Sequence, residues 1–148
     1  MPGPVDRTSP SVVDATSRWL DLPSAVTAVR TARGETAGFL RDCGVDVAII
    51  DDAVVIVSEL VTNAVRHAGP DGQSGLRMEC TFDPPRIRLQ VCDDGQQGAR
   101  PLHDQGAVGG RGLSIVAALA DSWSIERAAR GTVVTADISV TRTLPGPR

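Results

Sequence analysis

Residues Ser58–Ala68 read SELVTNAVRHA and close the longest helical pattern in the 148-residue chain. From about Asp46 to Ala68, Ile50, Val54, Val57, Val61, Ala64 and Val65 recur at helical spacing, and Gly69-Pro70 stops the run. Its β-branched residues have low helix propensity, so burial must hold the helix. Beside the apolar stripe, Glu59, Asn63 and His67 stand at i, i+4 and i+8 on one side of the cylinder. A carboxamide oxygen can ligate a hard cation together with phosphates and waters, and a carboxylate one turn away is left to act on a nucleophile. Polar neighbours one turn apart are also ordinary on a solvated helix face. The stripe alone leaves both readings open.

Working outward, a first helix is expected from Ala25 to about Asp42, with Val26, Val29, Ala32, Thr36, Ala37 and Leu40 as its stripe, Ser24 as N-cap and Gly44 as its stop. Before it, Trp19, Leu20 and Leu22 make a short edge strand ended by Pro23. Downstream, Leu76–Phe82 and Arg86–Asp93 read as a hairpin joined by Asp83-Pro84-Pro85, and 122–126 with 132–140 as a last hairpin around Arg130-Gly131. Between them a loop over 94–112 precedes a short helix over Leu113–Ala120. This order predicts an α+β, two-layer sandwich, with helices packed on one face of a mixed, mainly antiparallel sheet. The domain is expected to span 17–143, between a polar, Pro-interrupted N-terminal arm (1–16) and a tail (144–148), both disordered.

Composition narrows the function classes. A net charge of −3 lacks the basic excess of a nucleic-acid binder, so no direct nucleic-acid partner is expected. All 15 basic residues are arginine, so the lysine of a P-loop is missing and any phosphate must be held by backbone N–H groups, Arg or a metal. Cys43, Cys80 and Cys92 are odd in number and form no C-x-x-C pair, so neither a zinc site nor a disulfide framework is indicated. No apolar run is long enough to span a membrane, and a cytoplasmic location fits best.

Three further places attract attention. Asp93 shares strand parity with Ile87, Leu89 and Val91, which turns a carboxylate toward the buried face, where it must find donors. The exocyclic amine of adenine is one such donor, and Gly95 would let a ring approach the backbone; Asp-Gly is also a common turn. Gly109-Gly110-Arg111-Gly112-Leu113 opens a helix, whose N–H groups and dipole make an anion site or, alternatively, a hinge. Thr132 shares parity with Val134, Ala136 and Ile138 and so places a hydroxyl on the inner face, toward the base or a backbone acceptor. His103 is expected to be an exposed loop residue, and Cys92 an edge or surface thiol with no histidine to activate it.

In order along the chain these stretches resemble the N, G1, G2 and G3 boxes of the GHKL (Bergerat-fold) ATPases: SELVTNAVRHA (58–68), VCDDG (91–95), GGRGLSIV (109–116) and GTVVTADI (131–138). The first is similar to the anti-sigma factor serine kinase branch in particular. The resemblance implies Glu59 as catalytic base, Asn63 as magnesium ligand and Asp93 as adenine-binding aspartate. It also implies Gly95 shaping the base pocket, Gly109, Gly110, Arg111, Gly112 and Leu113 holding phosphates beneath a lid of residues 96–108, and Thr132 supporting the adenine end. ATP and Mg2+ are the implied cofactors. A serine of an anti-sigma factor antagonist is the implied phosphoryl acceptor, a sigma factor the implied second partner, and a homodimer the implied assembly. The G1 stretch departs from D-x-G-x-G, since Gln96 and Gln97 separate Gly95 from Gly98. The competing readings are a non-catalytic, ATP-gated binding regulator and the catalytic part of a sensor histidine kinase.

Overall fold

The computed structural model describes residues 16–23, 25–66, 75–93, 110–128 and 131–140. Eight elements follow one another: β1 (Thr16–Leu22), α1 (Thr27–Asp42), α2 (Val47–Arg66), β2 (Leu76–Asp83), β3 (Arg86–Asp93), α3 (Gly110–Leu119), β4 (Ser122–Ala128) and β5 (Gly131–Ser139). The strands form one sheet in the order β1-β2-β3-β5-β4, and every neighbouring pair is antiparallel. The expected mixed sheet is therefore fully antiparallel. β4 does run in the direction of β3, but the β4–β5 hairpin folds β5 in between, so the two parallel strands never pair.

Strand alternation sorts the sheet into two faces. Leu76, Met78, Cys80, Ile87, Leu89, Val91, Ala136 and Ile138 are buried on the side covered by the helices. The opposite side is polar: Ser17 bonds Thr81 at 2.9 Å, Gln90 donates to Thr135 at 3.1 Å, and Arg88 grips Asp137 with two hydrogen bonds of 2.8 and 3.1 Å. There Arg77 reaches Asp21 at 3.2 Å and lies 4.2 Å over the Trp19 ring, an exposed cation–π pair worth about 0.5–1 kcal/mol.

The helices close the core. α2 is central, packed on α1, α3 and the middle of the sheet. It buries Ile49, Ile50, Ala53, Ile56, Val57, Leu60, Val61 and Ala64. Relative to the stripe read from spacing, the buried face is turned toward Ile56 and Leu60, while Val54 and Val65 are half-buried at the border. α1 differs in the same way. Val26 is exposed, and Ala28 and Phe39 join Ala32, Thr36 and Leu40 in facing inward. The Thr36 hydroxyl meets the Met78 thioether at 3.8 Å. α1 ends in a Schellman motif, with Val45 N–H on Leu40 C=O and Gly44 N–H on Arg41 C=O, and Gly44 supplies the positive φ of 81°. Val26 caps its start without a side-chain bond. β1 begins at the polar Thr16 because Arg18, on the helix side, is held by Glu35 at 3.0 Å and by the Phe39 ring.

The arm and tail, apart from Thr16, lie outside the described residues, as do Ser24, His67, Gly95, the 96–108 loop with His103, and Gly109. Among the described residues no helix is long and apolar enough to cross a membrane.

Candidate active site

Two elements carry the candidate chemistry: the C-terminal half of α2 and the junction of β3 with β5. On α2, at 3.6 residues per turn, Asn63 falls at the edge of the buried face, next to the line of Ile56 and Leu60, and Glu59 falls just outside it. Both are half-buried. The neighbouring Ser58 spends its hydroxyl on its own helix, donating to Val54 C=O at 2.8 Å.

At the junction, Asp93 ends β3 opposite Leu76, and this register places its carboxylate on the helix-covered side of the sheet. It is half-buried, and its Oδ1 accepts a hydrogen bond from the backbone N–H of Thr132 at 3.2 Å. The Thr132 side chain shares that face, as its strand parity predicts, and its link to Asp93 is through the main chain. Gly131, at the start of β5, was read from sequence only as part of a turn and a motif. It is buried against Asp93 so closely that an added Cβ would collide with the Asp93 carbonyl oxygen and lie 2.9 Å from Oδ1. The only sequence signal for this was a glycine immediately before an inward threonine.

α3 begins at Gly110, three residues before the expected start, so Gly110, Arg111, Gly112 and Leu113 form its first turn. Leu113 is partly buried against the core and Val116 fully, which fixes the helix along α2. That first turn contains no acidic residue, which leaves the positive end of the dipole uncancelled from within the helix. α2 packs on β3, β5 and α3, so the elements bearing Asp93, Thr132 and the Gly110 turn all adjoin the helix that carries Glu59 and Asn63.

Among the described residues no three His, Cys, Asp or Glu side chains gather as a metal cage. Magnesium held by one carboxamide oxygen, phosphates and waters requires none, so Asn63 fits that mode of binding. Cys92 lies beside Asp93 on the polar face, and burial first, with Asp93 and Glu79 adding and Arg77 opposing, pushes its thiol pKa up. A thiol held protonated is a poor nucleophile. A groove of about 430 Å³ between α1 and α2, lined by residues including Arg33, Arg41, Ile50 and Val54, lies well round α2 from Glu59 and contains none of the candidate residues.

Residues 22–138 match the histidine kinase-like ATPase domain. The chain is 30% identical over 120 residues to a protein of Oceanobacillus iheyensis named serine-protein kinase RsbW, a match covering 72% of this chain and 76% of that one. Among solved structures, the RsbU and RsbW domains of a Mycobacterium tuberculosis protein superimpose with a TM-score of 0.63 at 26% identity, covering 84% of this chain and 32% of that one. The chain thus spans about a third of that structure. The SiaB–SiaC complex of Pseudomonas aeruginosa gives a TM-score of 0.55 at 11% identity over 82% of this chain and 88% of that chain, a likeness of fold alone.

Proposed function

The chain belongs to the histidine kinase-like ATPase family, in its anti-sigma factor kinase-like branch, and on that premise we propose that it binds Mg-ATP and phosphorylates a serine of an antagonist protein. The observation that carries this reading is the junction at Asp93. A carboxylate on the helix-covered side of the sheet, oriented by a main-chain donor, suits the exocyclic amine of a purine. α2, which carries the polar stripe, packs on β3, and that stripe would serve the triphosphate end.

Asn63 would hold the metal, and magnesium bound with the triphosphate would supply neutralisation of the charge spread over the transferred phosphoryl group. The amides of the Gly110–Leu113 turn would meet the phosphates, as helix N-termini do. As the family resemblance implies, Gly95 would serve the base pocket and Gly109 the phosphates. Glu59 orients the partner's seryl hydroxyl and takes its proton. As the seryl oxygen bonds to the γ-phosphorus, the bond to the β–γ bridging oxygen breaks, and ADP leaves with that electron pair. The protein acts in the cytoplasm, with a sigma factor as second partner and as a homodimer, on a domain spanning 17–143.

The test is transfer of label from γ-labelled ATP to a cognate antagonist. Wild type should transfer, and Glu59→Gln should bind ATP within about threefold of wild type while transfer falls by at least 10²-fold, the lower range for a general base. Undiminished transfer by Glu59→Gln refutes its role. ATP binding by wild type without transfer to any antagonist would make the protein a non-catalytic, ATP-gated regulator.

A further inference from the structure

We infer that Gly131 is a positioning residue for base recognition: the absence of its side chain lets β5 press its backbone onto Asp93, and so sets the carboxylate that chooses the purine. The inference rests on the ATP-binding reading above. β3 and β5 pair in register as far as Cys92 opposite Val133, and beyond that point Asp93 faces the Gly131–Thr132 peptide. Gly131 has a φ of 155° and is buried. A Cβ there would overlap the Asp93 carbonyl oxygen and stand 2.9 Å from both its carbonyl carbon and Oδ1. Two of those three atoms are main chain and cannot rotate away, so any other residue must push the strands apart.

What the close approach secures is the 3.2 Å bond from Thr132 N–H to Oδ1. A side-chain donor could change rotamer, but a strand amide cannot, so the carboxylate plane is set by the sheet itself. An ionised carboxylate has about four acceptor sites, so the Thr132 N–H orients it without exhausting it. The orientation matters because hydrogen bonds weaken steeply with misalignment. Adenine presents an amine at position 6, whereas hypoxanthine presents an oxygen that a fixed carboxylate repels. Discrimination between the two therefore depends on Asp93 being held, and a loosened carboxylate discriminates less.

The experiment measures ATP and inosine triphosphate binding by calorimetry for wild type and Gly131→Ala, with thermal melts as the check on folding. Wild type should prefer ATP. In Gly131→Ala, ATP affinity should fall about tenfold while inosine triphosphate affinity changes less than about twofold, so the preference collapses. Equal losses for both nucleotides would make Gly131 a merely structural residue and overturn the inference, as would unchanged ATP affinity. If wild type bound neither nucleotide, the ATP-binding reading itself would fall, which is a different result. Should Gly131→Ala not fold, NMR on the Thr132 amide puts the same question to the native glycine. Its proton should be protected from exchange in wild type and lose that protection in Asp93→Ala; a Thr132 amide indifferent to Asp93 overturns the inference.

Discussion

Replacing Ile56 by alanine tests how α2 is set on the sheet, and with it the position of Glu59 and Asn63. Ile56 is fully buried in the middle of α2, yet it lies off the stripe that spacing alone picks out. The substitution removes three carbon groups, about 2.4 kcal/mol at about 0.8 each. The incompletely collapsed cavity adds about 1 kcal/mol, and the better helix propensity of alanine returns about 0.4. A net loss of about 3 kcal/mol, in a domain of about 120 residues with unfolding entropy near 2.1 cal/mol/K per residue, corresponds to a melting temperature lower by about 12 °C. Val55→Ala is the control. Val55 is 39% exposed, so its smaller transfer loss is largely offset by propensity and the change should stay within about 0.5 kcal/mol. Far-UV circular dichroism melts and urea titrations measure both, with the urea midpoint moving and its slope unchanged. If Ile56→Ala lost less than about 1 kcal/mol, or Val55→Ala lost as much as Ile56→Ala, α2 would be rotated from the position described. Glu59 and Asn63 would then leave the border of the core, and the proposed site would have no frame.

Asp93→Asn keeps the shape but exchanges a charged acceptor for a neutral one, so ATP should bind about tenfold more weakly, about 1.4 kcal/mol, and calorimetry showing no change would remove Asp93 from base recognition. Cys80 gives a pH signature. Burial, the main cause, pushes its thiol pKa from 9.0 to about 12, so the folded state keeps a proton that the unfolded chain loses above pH 9. Its contribution is full below that value and declines between pH 9 and 12 with a slope of at most about 1.4 kcal/mol per pH unit, so Cys80→Ala should flatten the alkaline limb of stability measured by urea titration. An alkaline limb unaltered by the substitution would show that another group sets it.

The fold was legible where one pattern had one solution. β2 and β3 alternate strictly, and their parity put Leu89, Val91 and Asp93 on one face, as observed. The helices were read correctly as helices, with their inward stripes right at the centre and displaced at the borders. In α1 the spacing rule picked out Ala32, Thr36 and Leu40, which are buried, but also Val26, which is exposed, and it missed Ala28 and Phe39. Size complementarity with a partner surface is not written in either partner's sequence alone. β1 illustrates the same limit. Thr16, Ser17 and Arg18 carry no apolar pattern, and they are strand because β2 offers an edge to pair with and Glu35 and Phe39 receive Arg18. Strand order was likewise hidden, since an antiparallel sheet results only when β5 inserts between β3 and β4.

The candidate site divides along the same line. Residue types at helical or strand spacing, such as Glu59 with Asn63 and the inward Asp93, were available from the sequence because a single element fixes their relation. What joins Asp93 to β5 was not, because it depends on how near two strands come. The sequence reading assigned the contribution of position 132 to a hydroxyl, the part of a residue that letters display. The structure shows the amide, which every residue but proline has, also in use, and adds a requirement at position 131, where a side chain must be missing. A residue such as valine at 132 retains the N–H that holds Oδ1, and no residue with a Cβ can stand at 131 without displacing the strand that carries it.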